Sequence, residues 1–311
     1  MCGIYARLSV LLHKIFVMNK NAILFSIIAL LVSCSPQKSG NRTITVSIEP
    51  QRYFVEQLVD SLFEISTMVP SGMSPETYDP SPVQMAKLAD SDAYFRIGQI
   101  GFEVVWMDKI KNNNPGLKIF DNSENILFLT SNEEDIDNCE EHGHSHEAHN
   151  HFGIDPHIWS SPKQASVIAK NMYESLVQLD KENEEIYLKN LNKLNSEIHQ
   201  TDSIVSTLLK KATTKSFIIY HPALTYFAHD YGLTQHCIEI EGKEPTPEQL
   251  KQLIEISRKN DIRIIFIQQE FDQKNAEIIA SETNCKQIVI NPLSYKWSEG
   301  LIEIAQALSY E

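Results

Sequence analysis

TITVSIEPQRYFVEQLVDSLFEISTMV, residues 43–69, carries the repeat from which the fold follows. A β-rich run, Thr43 to Ile48, gives way to an amphipathic helical stretch, Gln51 to Leu62, and then to a second β-rich run, Ile65 to Val69. Short runs of β-branched and apolar residues favour extended chain, whereas apolar residues three and four apart favour a helix with one buried face. The alternation continues with a helix at Pro82 to Leu88, a strand at Ala93 to Ile97, a helix at Phe102 to Lys111 and a strand at Leu117 to Phe120. Strands separated by helices at this pitch predict a parallel, doubly wound sheet. The pattern resumes after residue 214, with strands expected at Ser216 to Tyr220, Cys237 to Ile240, Ile262 to Ile267 and Gln287 to Ile290. The predicted fold class is therefore α/β, with one doubly wound lobe over residues 42–160 and a second over 214–311.

Between the lobes, residues 161–213 are helical in pattern throughout. Tyr187, Leu191, Leu194, Ile198, Val205 and Leu208 recur three, four or seven apart, while Glu184, Lys189, Lys193 and Asp202 fall on the opposite face. A helix of roughly 30 residues is about 45 Å long and crosses a whole domain. It is read as a rigid connecting helix; its stripe falls short of the three to four heptads of a coiled coil, and the chain is expected to be a monomer.

The 311 residues, 42% hydrophobic, suffice for a substantial core, and the net charge of −14 argues against a nucleic-acid partner. Met18-Asn19-Lys20-Asn21 precedes an apolar run, Ala22 to Val32, that is short for a bilayer span and reads as a signal-peptide core. Leu31-Val32-Ser33-Cys34 matches the bacterial lipobox, so residues 1–33 are expected to be cleaved, Cys34 lipidated and residues 34–41 left as a polar tether to the membrane. Residues 1–17 are surplus to that signal, and Met18 is the simpler initiator. In an oxidising, extracytoplasmic compartment a Cys237–Cys285 bridge is one option, without a CxxC to fix it; Cys139 either joins a metal-binding loop or stays free.

Six of the eleven histidines fall within sixteen positions, at His142, His144, His146, His149, His151 and His157. Interleaved with Glu140, Glu141 and Glu147, neutral imidazoles at this density are a metal signal. The segment ends in Asp155-Pro156-His157-Ile158-Trp159, where the composition turns stiff and apolar. His157 is thus assigned to a structured site, and the five histidines before it to an auxiliary metal-collecting loop within residues 140–151. His221 follows the apolar run Ser216 to Tyr220 and precedes Pro222, which puts it at the carboxyl end of a strand, where doubly wound sheets bind ligands.

Taken with Ile48 to Val55, Val69 to Pro82, Tyr220 to Phe227 and Ile290-Asn291-Pro292-Leu293, these stretches make the chain similar to the solute-binding proteins of zinc and manganese ABC importers, the cluster A-I metal-binding lipoproteins. The resemblance covers nearly the whole mature chain, and the His-rich loop is nearer the zinc branch. It implies two lobes around one metal ion, Zn²⁺ with Mn²⁺ or Fe²⁺ as alternatives, and a membrane permease as partner. Carried over, two ligands map to His157 and His221. The family's first histidine, in a P-H-x-Y-x-P pattern, is Glu76 here, in Pro75-Glu76-Thr77-Tyr78-Asp79-Pro80; a fourth position, often aspartate, is Asn291, with water as the alternative. Glu270 maps to a recurring acid that either supports the ligands from behind or is a solvated strand end.

Two other classes compete. A metal with an open position is also the layout of a catalytic zinc site, but the chain lacks HExxH, a GxSxG elbow and a general base beside His157, so no enzyme is expected. A surface lipoprotein that buffers metal or serves cell adhesion is the other.

Overall fold

The alternation in residues 43–69 becomes a parallel sheet of four strands in the order β2-β1-β3-β4. Here β1 is Thr43–Val46, β2 Glu64–Thr67, β3 Ala93–Arg96 and β4 Lys118–Asp121. The central strand β1 pairs with β2 (Val46↔Thr67) and β3 (Val46↔Phe95), and Ile44, Thr45 and Val46 are all buried, as expected where helices cover both faces. The crossovers are α1 (Glu49–Val59), α2 (Pro82–Ala89) and α3 (Gly101–Asn113). Pro50 opens α1 where a missing N–H costs nothing, and α2 starts from a capping box in which Ser81 and Gln84 satisfy each other's amides.

A second sheet repeats the plan as β6-β5-β7-β8, all parallel. Its strands are β5 (Ser216–Ile219), β6 (Thr234–Cys237), β7 (Ile264–Gln268) and β8 (Lys286–Ile290). The helices around it are α6 (Thr225–Tyr231), α7 (Pro247–Lys259), α8 (Lys274–Thr283) and α9 (Trp297–Ser309). The connection between the sheets holds α4 (Pro162–Leu179), a 3₁₀ turn at Lys181–Asn183 and the long helix α5 (Glu184–Leu209). The fold is thus two parallel-sheet α/β lobes joined by a long helix. This computed structural model describes residues 42–130, 153–239, 242–271 and 273–309. The expected signal segment 1–33, Cys34 with its tether, Cys139 and the auxiliary histidines His142, His144, His146, His149 and His151 lie outside the described residues.

Two expectations shift. The helical region is broken rather than continuous, because Asp180 ends α4 and its carboxylate accepts from Arg42 (2.7 Å), Asn183 (2.8 Å) and Tyr187 (2.7 Å). The helix that joins the lobes is therefore α5 alone, 26 residues, about 39 Å. Strand β6 lies three residues earlier than the apolar pattern implied: its register on β5 (Ser216↔Thr234) uses the polar Thr234, Gln235 and His236 of an edge strand. No disulfide joins Cys237 to Cys285, whose thiol donates to Ile262 O at 3.0 Å.

The buried stripe of α5 (Tyr187, Leu191, Leu194, Ile198, Val205) belongs to one hydrophobic cluster with Val46 and Phe95 of the first sheet and Phe217 and Phe266 of the second. Helix α9 closes the same core: Trp297 packs edge-on against Phe54 of α1 at 5.1 Å, and Tyr295 donates to Glu56 at 2.7 Å. Among the described residues no helix is long and apolar enough to cross a membrane.

Candidate metal centre

Three segments bring donors to one point between the lobes. Glu76 comes from the loop after β2, His157 from the turn that leads into α4, and His221 from the end of β5; one ligand atom from each lies within 4.8 Å of the others. The Nε2 atoms of His157 and His221 are 3.3 Å apart. Two donors about 2.0–2.1 Å from one tetrahedral centre are separated by about 3.3–3.4 Å, so the imidazoles already have the spacing zinc requires.

Each histidine is aimed from behind by a carboxylate. Asp155 Oδ1 accepts from both the backbone N–H and Nδ1 of His157 at 2.8 Å, and its other oxygen accepts from Thr225 at 2.5 Å. His221 Nδ1 meets Glu239 at 3.2 Å. With Nδ1 held on a carboxylate, Nε2 is left to face the cleft, the arrangement that fixes a ligating tautomer. Burial pushes the His157 imidazole down, but the Asp155 charge and hydrogen bond, with Glu76 and Glu239 behind them, carry it above its ordinary value. Burial likewise pushes Asp155 up, and the contacts with His157 and Thr225 outweigh it, leaving the carboxyl below the usual aspartate value.

Glu76 is placed by α3. Its Oε2 accepts from Gly101 N–H at 3.1 Å, at the positive end of that helix, while Oε1 is buried and has no hydrogen-bond partner. A buried carboxylate oxygen without a partner is costly, and a cation between Glu76 and the imidazoles removes that cost. A Cβ on Gly101 would overlap the Glu76 carbonyl oxygen, so glycine is what lets the Pro75-Glu76 backbone come this close. The loop before Gly101 is held in turn by Glu103, fully buried, which accepts from the N–H groups of Ile97 (2.8 Å) and Gly98 (2.7 Å) and from Ser47. That carboxylate fills the crevice at the carboxyl ends of β1 and β3, so the first lobe offers the cleft Glu76 instead. Burial raises the Glu103 carboxyl above the usual glutamate value against the pull of these bonds.

The second lobe builds its wall from the end of β7. Gln268 accepts from His221 N–H (3.3 Å) and donates to His221 O (2.7 Å), and Phe271 stacks on the His221 ring with centroids 5.2 Å apart. Glu270, between them, lines the cavity with Glu76, His157 and His221. Burial pushes its carboxyl up, while its own amide and the two histidines pull it down. The structure does not bring Asn291 to this group: Asn291 is absent from the cavity wall, and its Oδ1 accepts from Leu293 N–H at 3.0 Å.

Of the residues singled out from sequence the structure brings Glu76, His157 and His221 together, and the carboxylates behind the histidines are ones that sequence reasoning missed. Asp155 had a signal, standing two residues before His157. Glu239 had none locally, since only the run of chain past β6, with Glu239 N–H on Tyr220 O at 2.9 Å, sets it beside His221.

Residues 44–306 match the profile of the family described as zinc-uptake complex component A, periplasmic, ZnuA. The zinc-binding lipoprotein AdcA of Streptococcus pneumoniae is 30% identical over 271 residues, 85% of this chain, which spans about half (52%) of that relative's length. The high-affinity zinc uptake system protein ZnuA of Bacillus subtilis is 29% identical over 261 residues, 82% of this chain and 80% of its own. A crystal structure of ZnuA has a TM-score of 0.78 at 34% identity, covering 87% of this chain and 98% of that one. A ZnuA deletion mutant with zinc bound has a TM-score of 0.77 at the same 34% identity.

Proposed function

Because this chain belongs to the ZnuA family of periplasmic zinc-uptake components, we propose that it captures one Zn²⁺ ion between its lobes and delivers it to an ABC-type membrane permease. The observation that carries this reading is the approach of the His157 and His221 Nε2 atoms, 3.3 Å apart, with a Glu76 carboxylate gathered to the same imidazole pair and its Oε1 left without a hydrogen-bond partner. Two imidazoles favour zinc over manganese, while the Glu76 carboxylate hardens the site toward Mn²⁺ or Fe²⁺. Residues 42–160 and 214–311 act as the two jaws, with 161–213 as the spacer between them. Cys34 anchors the chain to the membrane, and the loop histidines from His142 to His151 collect metal for the cleft. The relatives are transport and binding proteins, which accords with a protein that turns over no substrate.

Competition titration with a chromophoric zinc chelator, backed by metal analysis of protein without a polyhistidine tag, tests the reading. One tight equivalent of zinc is expected, lost in His157→Ala and in His221→Ala and kept when residues 142–151 are deleted. Tight one-to-one binding that survives His157→Ala, or that disappears with the loop, sinks it.

A further inference from the structure

Tetrahedral zinc needs a fourth position beyond Glu76, His157 and His221, and the second lobe has one further carboxylate, Glu270, in the same cavity wall. We propose that Glu270, rather than Asn291 or water, is the fourth metal ligand, so that the loaded site is His157, His221, Glu76 and Glu270. The proposal rests on the zinc reading of the cleft.

Topology argues first. The strand order β6-β5-β7-β8 puts the crevice of the second lobe between β5 and β7, where Ile219 pairs with Phe266. Ligands bind in such a crevice, outside the carboxyl ends of the strands. His221 stands two residues past the end of β5, and Glu270 two residues past the end of β7. In register His221 stands level with Gln268, and Glu270 follows two residues further along the same crevice.

Local packing argues next. Gln268 clasps the backbone of His221 from both sides and Phe271 covers its ring, so the two residues that bracket Gln269-Glu270 are both fixed on the imidazole ligand. A segment tied in this way has little freedom to carry Glu270 away from the metal. Asn291, by contrast, has spent its side-chain oxygen on Leu293 N–H and does not line the cavity. Its amide would have to break a turn to bind.

Charge argues last. Counting only the atoms bound to the ion, Zn²⁺ with Glu76 and two neutral imidazoles carries +1, which a second carboxylate ligand neutralises, while Asp155 and Glu239 act from behind the imidazoles. Glu270 is not yet among the three gathered donors, although it lines the same cavity as Glu76, His157 and His221. The metal would draw it in, and permease docking that lets it swing back would open one coordination position for release.

The test is a crystal structure of the zinc-loaded protein, joined to zinc titrations of Glu270→Gln and Asn291→Ala. A Glu270 carboxylate oxygen about 2.0–2.2 Å from the ion is expected. Glu270→Gln is expected to weaken zinc by roughly tenfold or more, with Asn291→Ala within about threefold of wild type. Asn291 or water in the fourth position overturns the proposal, whatever Glu270→Gln does to affinity. The two readings fail separately: wild-type protein that takes up no tight zinc refutes the zinc site, whereas wild type that binds and Glu270→Gln that binds equally refutes Glu270 alone.

Discussion

Gly101 makes no bond to metal in any reading of this cleft, yet it governs Glu76, the candidate donor that stands where the family pattern has its first histidine. Its N–H caps Glu76 at 3.1 Å, and the space beside its Cα is filled by the Glu76 carbonyl. Gly101→Ala forces that backbone outward, at about 1–3 kcal/mol for an overpacked contact. The expected outcome is a folded protein with a lower melting temperature and zinc affinity reduced at least as much as in Glu76→Gln, which keeps the carbonyl in place; equal affinity for Gly101→Ala and wild type contradicts the assignment. Proton competition is the second residue-scale prediction. His157 titrates above its usual range, near 6.5, because of Asp155, and metal must displace the proton on Nε2. Zinc affinity therefore starts to fall above pH 6.5 as the solution is acidified, and Asp155→Asn moves that fall to lower pH. In the metal-free protein the sign is opposite: a raised imidazole contributes stability that is complete below the unfolded value and is lost as pH rises through the folded one. Thermal melts with excess chelator from pH 5.5 to 8 read this directly.

At the scale of elements, α5 carries the most. Leu194 and Ile198 are almost fully buried on the stripe that α5 turns toward α1, α4 and α9. Leu194→Ala is expected to cost about 2–5 kcal/mol, the range for a large-to-small change in a close-packed core. Denaturant titration with unchanged slope checks it, and a loss under 1 kcal/mol would mean the stripe is not core. How far such elements are legible in sequence depends on what writes them. The strands at Phe217-Ile218-Ile219 and Ile264 to Ile267 are apolar on both faces, and their pattern announces them. The edge strand β6 has one solvated side and polar residues at Thr234, Gln235 and His236, so the apolar Ile238 and Ile240 drew the expectation downstream. The break at Asp180 carries no proline or glycine; it is made by Arg42, Asn183 and Tyr187, one of them 138 positions away. The same rule divides the site: the histidines and Glu76 sit in recognisable local strings, whereas Glu239 reaches His221 only through pairing of distant chain.

For the whole molecule, the question is whether the two lobes are two folding units. Their sheets are separate, and the cleft lies between them. Yet the core is shared: Val46, Phe95, Leu194, Phe217, Phe266 and Trp297 belong to one buried cluster, and Trp159 and Trp297 donate to Pro292 O (2.9 Å) and Trp159 O (2.6 Å) beside the cleft. Separating the lobes would expose that cluster and strand those indole donors, a cost that neither sheet recovers alone. The metal-free protein is therefore expected to unfold in one calorimetric transition, with van't Hoff and calorimetric enthalpies in agreement. Zinc at a hundred times its dissociation constant adds about 2.7 kcal/mol by linkage and should shift the whole transition upward without splitting it. Because donors from both lobes already stand 3.3 Å apart, loading should also leave the radius of gyration in solution scattering unchanged. Two resolved transitions, with zinc raising only one of them, would mean that α5 joins independent domains and that the cleft is set by the ion rather than by the shared core.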